Sequence, residues 1–464
     1  MPHPSPASAT GRLRSSAGPS ALLPSAPWSI FWIAFLLRVL YLTVAHTYRF
    51  RLYGFGLHFQ FGWEMGRIAR ALVTGHGYAD PFSGHTGPTA WVTPLYPLLL
   101  AGVFKLFGVY SLASAWVILT LNSLFSALTT RTVWEIAVRC FNLRVARWSA
   151  WIWALYPAAM QYAVRWVWEM TLTTLLFTAL LVVALRMRRI GEPSASPSPP
   201  PPSATMRRWA VFGALSGLIA LSNPSLLPFF PLCGVWILLG SYRQPRQTAG
   251  ILLSVLVCVA LVAPWSWRNW RTFHALIPLR SNFGAELYMG NGPGAFGMLM
   301  EYDHPNQSFH ELDRYKRLGE LRYSQVQGER TKALIRQQPA RFLSLSLKRV
   351  YYFWMGVPRP FQDHGVLNEY GRDLNFAFAS LAGLFGLALA LHRRIPASPL
   401  IALAFLVLPA PYYLVSVQAR FRHPLEPLIV ILAVYLFQST QPSRRRRGHS
   451  PVSAHPEGPS HLPS

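Results

Sequence analysis

The chain runs to 464 residues, 52% hydrophobic and 13% charged, whereas soluble domains carry about 25% charged residues, so the composition excludes an ordinary water-soluble fold. The net charge of +26 would suit nucleic acid if it formed one patch, but the basic residues gather at the ends of apolar runs, as in a membrane protein with positive inner loops. Cys140, Cys233 and Cys258 sit in or beside those runs, and their odd number sets no disulfide framework.

In chain order, residues 1–27 are rich in Ser, Pro and Ala and read as a disordered cytoplasmic N-terminus. The apolar run 28–48 is longer than a signal-peptide core and lacks a clear cleavage site, so it predicts an uncleaved first helix. Further runs follow at 110–130, 146–164, 167–187, 208–222, 224–241, 248–267, 374–391, 397–416 and 424–438. A spanning helix needs about 17–25 such residues, so the pattern predicts an all-α polytopic bundle of about ten helices, its shorter runs tilted or re-entrant. Arg131, Arg139, Arg144 and Arg147, then Arg186, Arg188, Arg189, Arg207 and Arg208, then Arg243 and Arg246, Arg393 and Arg394, and Arg444 to Arg447 fall at alternate connections. This places both termini in the cytoplasm. The acidic residues agree, because only Glu135, Glu192 and Glu457 fall in inner segments.

Three segments interrupt the helices. The Pro-rich stretch 190–206 reads as a cytoplasmic linker, and 439–464 as a disordered cytoplasmic tail. The external loops 49–109 and 268–373 are too long to be turns, and long loops in a compact protein are usually functional. In the first, Phe61, Met65, Ile68 and Leu72 repeat at helical spacing with Glu64, Arg67 and Arg70 off the stripe, predicting an amphipathic helix along the membrane surface. Thr74-Gly75-His76-Gly77 ends it, and Pro94-Leu95-Tyr96-Pro97 opens a short apolar helix through 107. In the second, 307–338 is a polar helical stretch, followed after Pro339 by an aromatic, basic segment through Trp354 whose Tyr351, Tyr352, Phe353 and Trp354 suit the membrane interface. The domain proper is therefore expected over 28–438.

The chain holds no P-loop, Cys-x-x-Cys, His-Glu-x-x-His, Gly-x-Ser-x-Gly or Asp-x-Asp motif. Gly290-Asn291-Gly292-Pro293-Gly294 lacks the Lys-Ser/Thr of a phosphate cradle and reads better as a tight turn. Glu64, on a surface helix at the mouth of the bundle, is placed to take a proton from a nucleophile, weighed against an exposed pair with Arg67; Asp80 is the second acid. Arg38 lies inside the first apolar run, where a charge costs about 2.5 kcal/mol or more unless it faces a cavity or partner. Arg268 and Arg271 end the seventh run on its outer side and Arg420 and Arg422 precede the tenth; forked guanidinium groups there, with Lys105, suit a phosphate. Glu169, beside Arg165, reads as a satisfied ion pair, and His58, His76 and His85 share a loop without metal-site spacing.

These features together resemble the glycosyltransferase C superfamily, in particular the bacterial relatives of protein mannosyltransferases and lipid A aminoarabinose transferases. Carrying the resemblance, in order, are Gly75-His76-Gly77-Tyr78, Pro94-Leu95-Tyr96-Pro97-Leu98, Pro264-Trp265-Ser266-Trp267-Arg268-Asn269 and Tyr288-Met289-Gly290-Asn291. Pro339-Ala340-Arg341-Phe342 and Arg420-Phe421-Arg422-His423-Pro424-Leu425-Glu426-Pro427 complete it. The resemblance implies an inverting transfer of a hexose or pentose from a polyprenyl- or dolichyl-phosphate donor to a lipid, glycan or protein acceptor on the outer face of the cell membrane, the inner membrane in a bacterium. It implies a catalytic carboxylate in the first external loop, which falls on Glu64 where relatives often have Asp or an Asp-Glu pair. The expected site is then Glu64 and Asp80 for catalysis, Arg268, Lys105, Arg420, Arg422 and Arg38 for the donor phosphate, and Tyr78, Tyr96, Tyr288 and Asn291 around the substrate. No cofactor is called for, a divalent metal being left open, and no nucleic acid is expected. The competing readings are a lipid or polysaccharide transporter or flippase, against which the absence of an internal repeat counts, and a lipid-linked polymer ligase.

Overall fold

The computed structural model describes residues 27–50, 59–192, 202–240, 246–298, 300, 303–358 and 366–439, so the expected disordered tails, most of the Pro-rich linker and His58 lie outside the described residues. Among those described the chain is all-α, with isolated β-bridges joining Ala79 to Pro88 and Met298 to Val417. The apolar runs become α1 (Pro27–Val44), α4 (Leu112–Cys140), α5 (Leu143–Leu155) with α6 (Pro157–Val164), and α7 (Met170–Met187). Then come α8 (Pro202–Ala220), α9 (Phe229–Leu239), α10 (Arg246–Phe273), α15 (Val366–His392), α16 (Ser398–Val407) with α17 (Ala410–Leu414), and α18 (Glu426–Ser439). Among the described residues, windows in α1, α4, α7, α10 and α15 make 5 helices long and apolar enough to cross a membrane. α8, with Arg207 and Arg208 in its first half, has 19 residues, and the remaining runs hold shorter helices or helices broken at proline, as at Pro157 and Pro409; such breaks survive at membrane depth where protein covers them. The chain is a multi-pass membrane protein.

Lipid gives helices no hydrophobic reason to associate, so close backbone packing has to hold them together. At Gly213 of α8 an added Cβ would stand 2.2 Å from the carbonyl oxygen of Ser254 on α10, and at Gly386 of α15 a Cβ would stand 2.2 Å from that of Leu432 on α18. Only glycine permits these two contacts.

One end of the bundle collects the basic helix ends. Glu135 binds Arg139 at 2.8 Å and Arg186 at 2.6 Å, Arg208 donates to the Arg186 carbonyl, Gln438 donates to the Arg144 carbonyl, and Arg393 reaches the Tyr435 hydroxyl. The alternation read from the sequence therefore places these residues on one face.

The opposite end is built by the two long loops. The first contains α2 (Glu64–Val73) and α3 (Leu95–Phe107), bounded as expected by Gly75 and Pro94. The second contains α11 (Phe283–Asn291), α12 (Phe309–Leu318), α13 (Glu320–Gln337) and α14 (Pro339–Met355). Of the aromatic quartet expected at the membrane interface, Tyr351 is exposed, whereas Phe353 is buried and Trp354 donates to the Tyr413 hydroxyl at 2.8 Å. Glu320 joins the two loops. Its carboxylate accepts from the Thr89 hydroxyl, the Ala90 N–H (2.6 Å), the Ser281 hydroxyl and the Tyr315 hydroxyl (2.8 Å). Burial raises its pKa and these donors oppose the rise. Glu320→Leu strands those donors, and a buried unsatisfied group costs about 1–3 kcal/mol. The expected result is a melting midpoint in detergent several degrees lower, with Glu320→Gln in between.

Candidate active site

Gly62 (φ 97) and Trp63 (φ 53) turn the chain sharply before α2, setting Glu64 as its first residue, where the helix dipole favours a carboxylate. The stripe predicted for α2 packs inward at Ile68, but its polar face is not open to water. Arg67 is buried and donates to the Ser83 hydroxyl at 2.7 Å, while the loop 303–308 lies over Glu64, leaving that side chain 15% exposed.

That loop supplies two groups to one carboxylate oxygen. The Asn306 side-chain amide donates to Glu64 Oε1, and His304 Nε2 lies 3.4 Å from the same atom. Oε2 takes no side-chain partner among the described residues. Burial pushes the Glu64 carboxyl above the usual carboxylate range, against a hydrogen bond from its own backbone N–H and the attraction of Arg420, Arg67 and Arg280.

Arg420, just before α18, reaches across to the residues that precede α7 and places its guanidinium 3.1 Å from the centroid of the Trp168 ring. Burial lowers its pKa to about 10, opposed by Glu169, Glu64 and Glu286, so it remains a cation at neutral pH. The expected Arg165–Glu169 pair does not form, because Arg165 faces outward. Glu169 is instead buried with Oε2 unpartnered, its pKa raised by burial and by Glu64 and lowered by Arg420. Glu64, Glu169, Arg67, Arg280, Arg420 and His304 thus form one electrostatically coupled group.

The remaining expected site residues are engaged elsewhere. Asp80 Oδ1 accepts from the Thr86 and Gly87 N–H groups at 2.8 and 2.9 Å and its Oδ2 lies 3.4 Å from His85, so its carboxylate closes a turn. Arg268 donates to the carbonyls of Thr89 and Tyr78, both at 2.6 Å, and tethers the first loop to the end of α10. Arg422 is fully buried on the Phe376 carbonyl (3.1 Å), Ser380 and Glu426 (3.4 Å), and Lys105 is exposed on α3. Arg38 faces the helix break at Pro157, which has no N–H to give the Trp153 carbonyl. Its guanidinium reaches the carbonyls of Ala154 (2.9 Å), Ala34 (3.0 Å) and Trp153 (3.4 Å).

Tyr78 is buried and donates to the Val92 carbonyl at 3.0 Å, and Tyr96 donates to Asn122 at 3.0 Å. Tyr288 is half-buried near Asp303, whose pKa burial raises to about 6. Asn291 and the Gly290 carbonyl are held by the buried Arg349, and the Gly292 carbonyl by Arg341 at 2.7 Å, so the glycine-rich stretch is a structural turn. His304, Asn306 and Arg349 are absent from the sequence reading, which offered no motif for them. Among the described residues no group of three or more His, Cys, Asp or Glu side chains is arranged to hold a metal ion.

No family model and no curated protein sequence matches the chain. Solved structures do match. The Archaeoglobus fulgidus oligosaccharyltransferase AglB, in complex with an inhibitory peptide and a dolichol-phosphate, covers 89% of this chain at 15% identity and a TM-score of 0.53. The apo form of the oligosaccharyltransferase from that organism covers 90% at 14% identity and 0.54. The chain spans about half the length of these two proteins, 50% and 51%. ArnT from Cupriavidus metallidurans bound to undecaprenyl phosphate aligns over 89% of this chain and 77% of its own at 13% identity, with a TM-score of 0.38.

Proposed function

The chain carries the fold of the glycosyltransferase C superfamily, and on that scaffold we propose that it transfers a sugar from an isoprenoid-phosphate carrier to an acceptor hydroxyl with inversion. The observation that carries the proposal is Glu64, a carboxylate shielded at the loop end of the bundle, with Oε1 held by loop 303–308, Oε2 without a side-chain partner among the described residues, and the Arg420 cation acting on it. In this reading Glu64 Oε2 takes the acceptor proton as the hydroxyl oxygen bonds to the anomeric carbon, and the carbon–oxygen bond to the carrier phosphate breaks. Arg420 stabilises the departing phosphate, while Arg67 and Arg280, held on Ser83 and the Trp91 carbonyl, add to the positive field around Glu64. Of the cations named from the sequence, Arg268, Arg422 and Arg38 donate to protein acceptors and Lys105 is exposed on α3, whereas Arg420 acts on Glu64, so the phosphate is assigned to Arg420.

The test is transfer from radiolabelled isoprenoid-phosphate hexoses and pentoses in membranes with and without the protein. The expected product has the opposite anomeric configuration to the donor. A product of retained configuration would overturn the single-displacement mechanism, and absence of transfer from every such donor would overturn the reading.

A further inference from the structure

Loop 303–308 is separated from α2 by more than two hundred residues, yet it places an imidazole against Glu64 in an orientation that defines where its proton sits. The backbone N–H of Asn306 donates to His304 Nδ1 at 3.1 Å, so Nδ1 must carry a lone pair and the proton of the neutral ring must be on Nε2. Nε2 is the nitrogen nearest Glu64, 3.4 Å from Oε1, a contact longer than a formed hydrogen bond but within the range that a bound substrate can tighten. The ring is walled by Phe82 and Trp91, with centroids 5.6 and 6.1 Å away, and its side chain is 12% exposed.

We propose that His304 is a positioning residue that donates from Nε2 to Glu64, fixes Oε1 together with the Asn306 amide, and aims Oε2 at the acceptor hydroxyl. The inference rests on the reading of Glu64 as the base. An imidazolium would present N–H groups on both nitrogens and lose the Asn306 backbone bond, so the role requires a neutral ring. The surroundings supply that condition: burial lowers the His304 pKa to about 4, Arg420 and Arg67 act in the same direction, and Glu286 on α11 opposes them. The charged groups facing Glu64 are Arg67 on its own helix, Arg280 before α11 and Arg420 before α18, and Glu169 at the start of α7 is coupled to it.

A donor to a carboxylate favours its ionised form, so removing the donor must raise the Glu64 pKa. The experiment uses the full chain in detergent and follows covalent labelling of Glu64 by dicyclohexylcarbodiimide, which modifies protonated carboxyls, by mass spectrometry across pH. The half-labelling pH is expected to rise by about one unit in His304→Leu and to stay near wild type in His304→Gln, which keeps a donor. The acid limb of kcat/KM should move with it. Asn306→Leu removes the other donor and provides a second measurement in the same direction should His304→Leu fail to fold. Superimposable labelling curves for wild type and both Leu variants would overturn the proposal, as would a His304→Gln curve matching that of His304→Leu. Labelling that shifts as expected in a protein that transfers no sugar would uphold the His304–Glu64 contact and refute the transferase reading alone.

Discussion

Glu64→Gln should lower kcat/KM for sugar transfer by about 10²–10⁴-fold, the usual contribution of a positioned general base, or about 3–5 kcal/mol of barrier. Gln keeps the size of the side chain and its Oε1 can still accept from Asn306, so the loss reports proton transfer rather than collapse of the loop. Because the pKa of Glu64 is raised, wild-type activity should fall as pH drops through a value above the ordinary carboxylate range. The stability effect has the opposite sign. A carboxyl whose folded pKa exceeds its unfolded value makes the folded state bind more protons, so stability declines as pH rises through that window. Glu64→Gln removes this cost and should raise the melting midpoint at neutral pH while abolishing transfer. A variant that loses both activity and stability would indicate that Glu64 serves the fold instead.

Arg420→Gln is the second large expected effect. Removing one preorganised charge from the site where negative charge develops typically costs about 10²–10³-fold in rate. Arg420 also attracts Glu64 and Glu169, so its loss should raise the Glu64 pKa further and move the acid limb upward as the rate falls. Arg420→Lys keeps the charge but not the planar stack on Trp168, and should recover part of the rate. Arg268→Gln is the control: it should lower stability by loosening the Tyr78 and Thr89 contacts and leave the acid limb in place. A pH profile unchanged in Arg420→Gln would remove Arg420 from the site.

The helices were legible because burial in lipid imposes a long apolar run whatever a helix does, and Gly75 and Pro94 mark where α2 stops and α3 starts. Glu64 was legible for a similar reason: a lone acid beside an amphipathic stripe stands out. The partners of Glu64 were not. His304 and Asn306 lie in a segment without periodicity, and their meaning comes only from tertiary contact with a helix more than two hundred residues earlier. The arginines show the same limit from the other side. Arg268, Arg422 and Arg420 look alike in sequence, each a cation at a helix end, and only the backbone acceptors in reach distinguish the first two from the third. Arg38 stood out as a charge within an apolar run, but its explanation lies on another helix, at a proline that removes a hydrogen-bond donor.

The Glu320 junction bears on the order in which this protein can mature. The residues it clasps, Thr89 and Ala90 on one side and Ser281 and Tyr315 on the other, come from opposite halves of the chain, and Arg420 joins later still. A nascent chain that has inserted α1 to α7 already carries Glu64, but with neither the loop that covers it nor the cation that faces it. Contacts of such large sequence separation form slowly because the intervening loop entropy must be overcome first. Glu64, the proposed base, therefore lacks its partners until synthesis has passed Arg420, so on that reading a product truncated before it has no competent site.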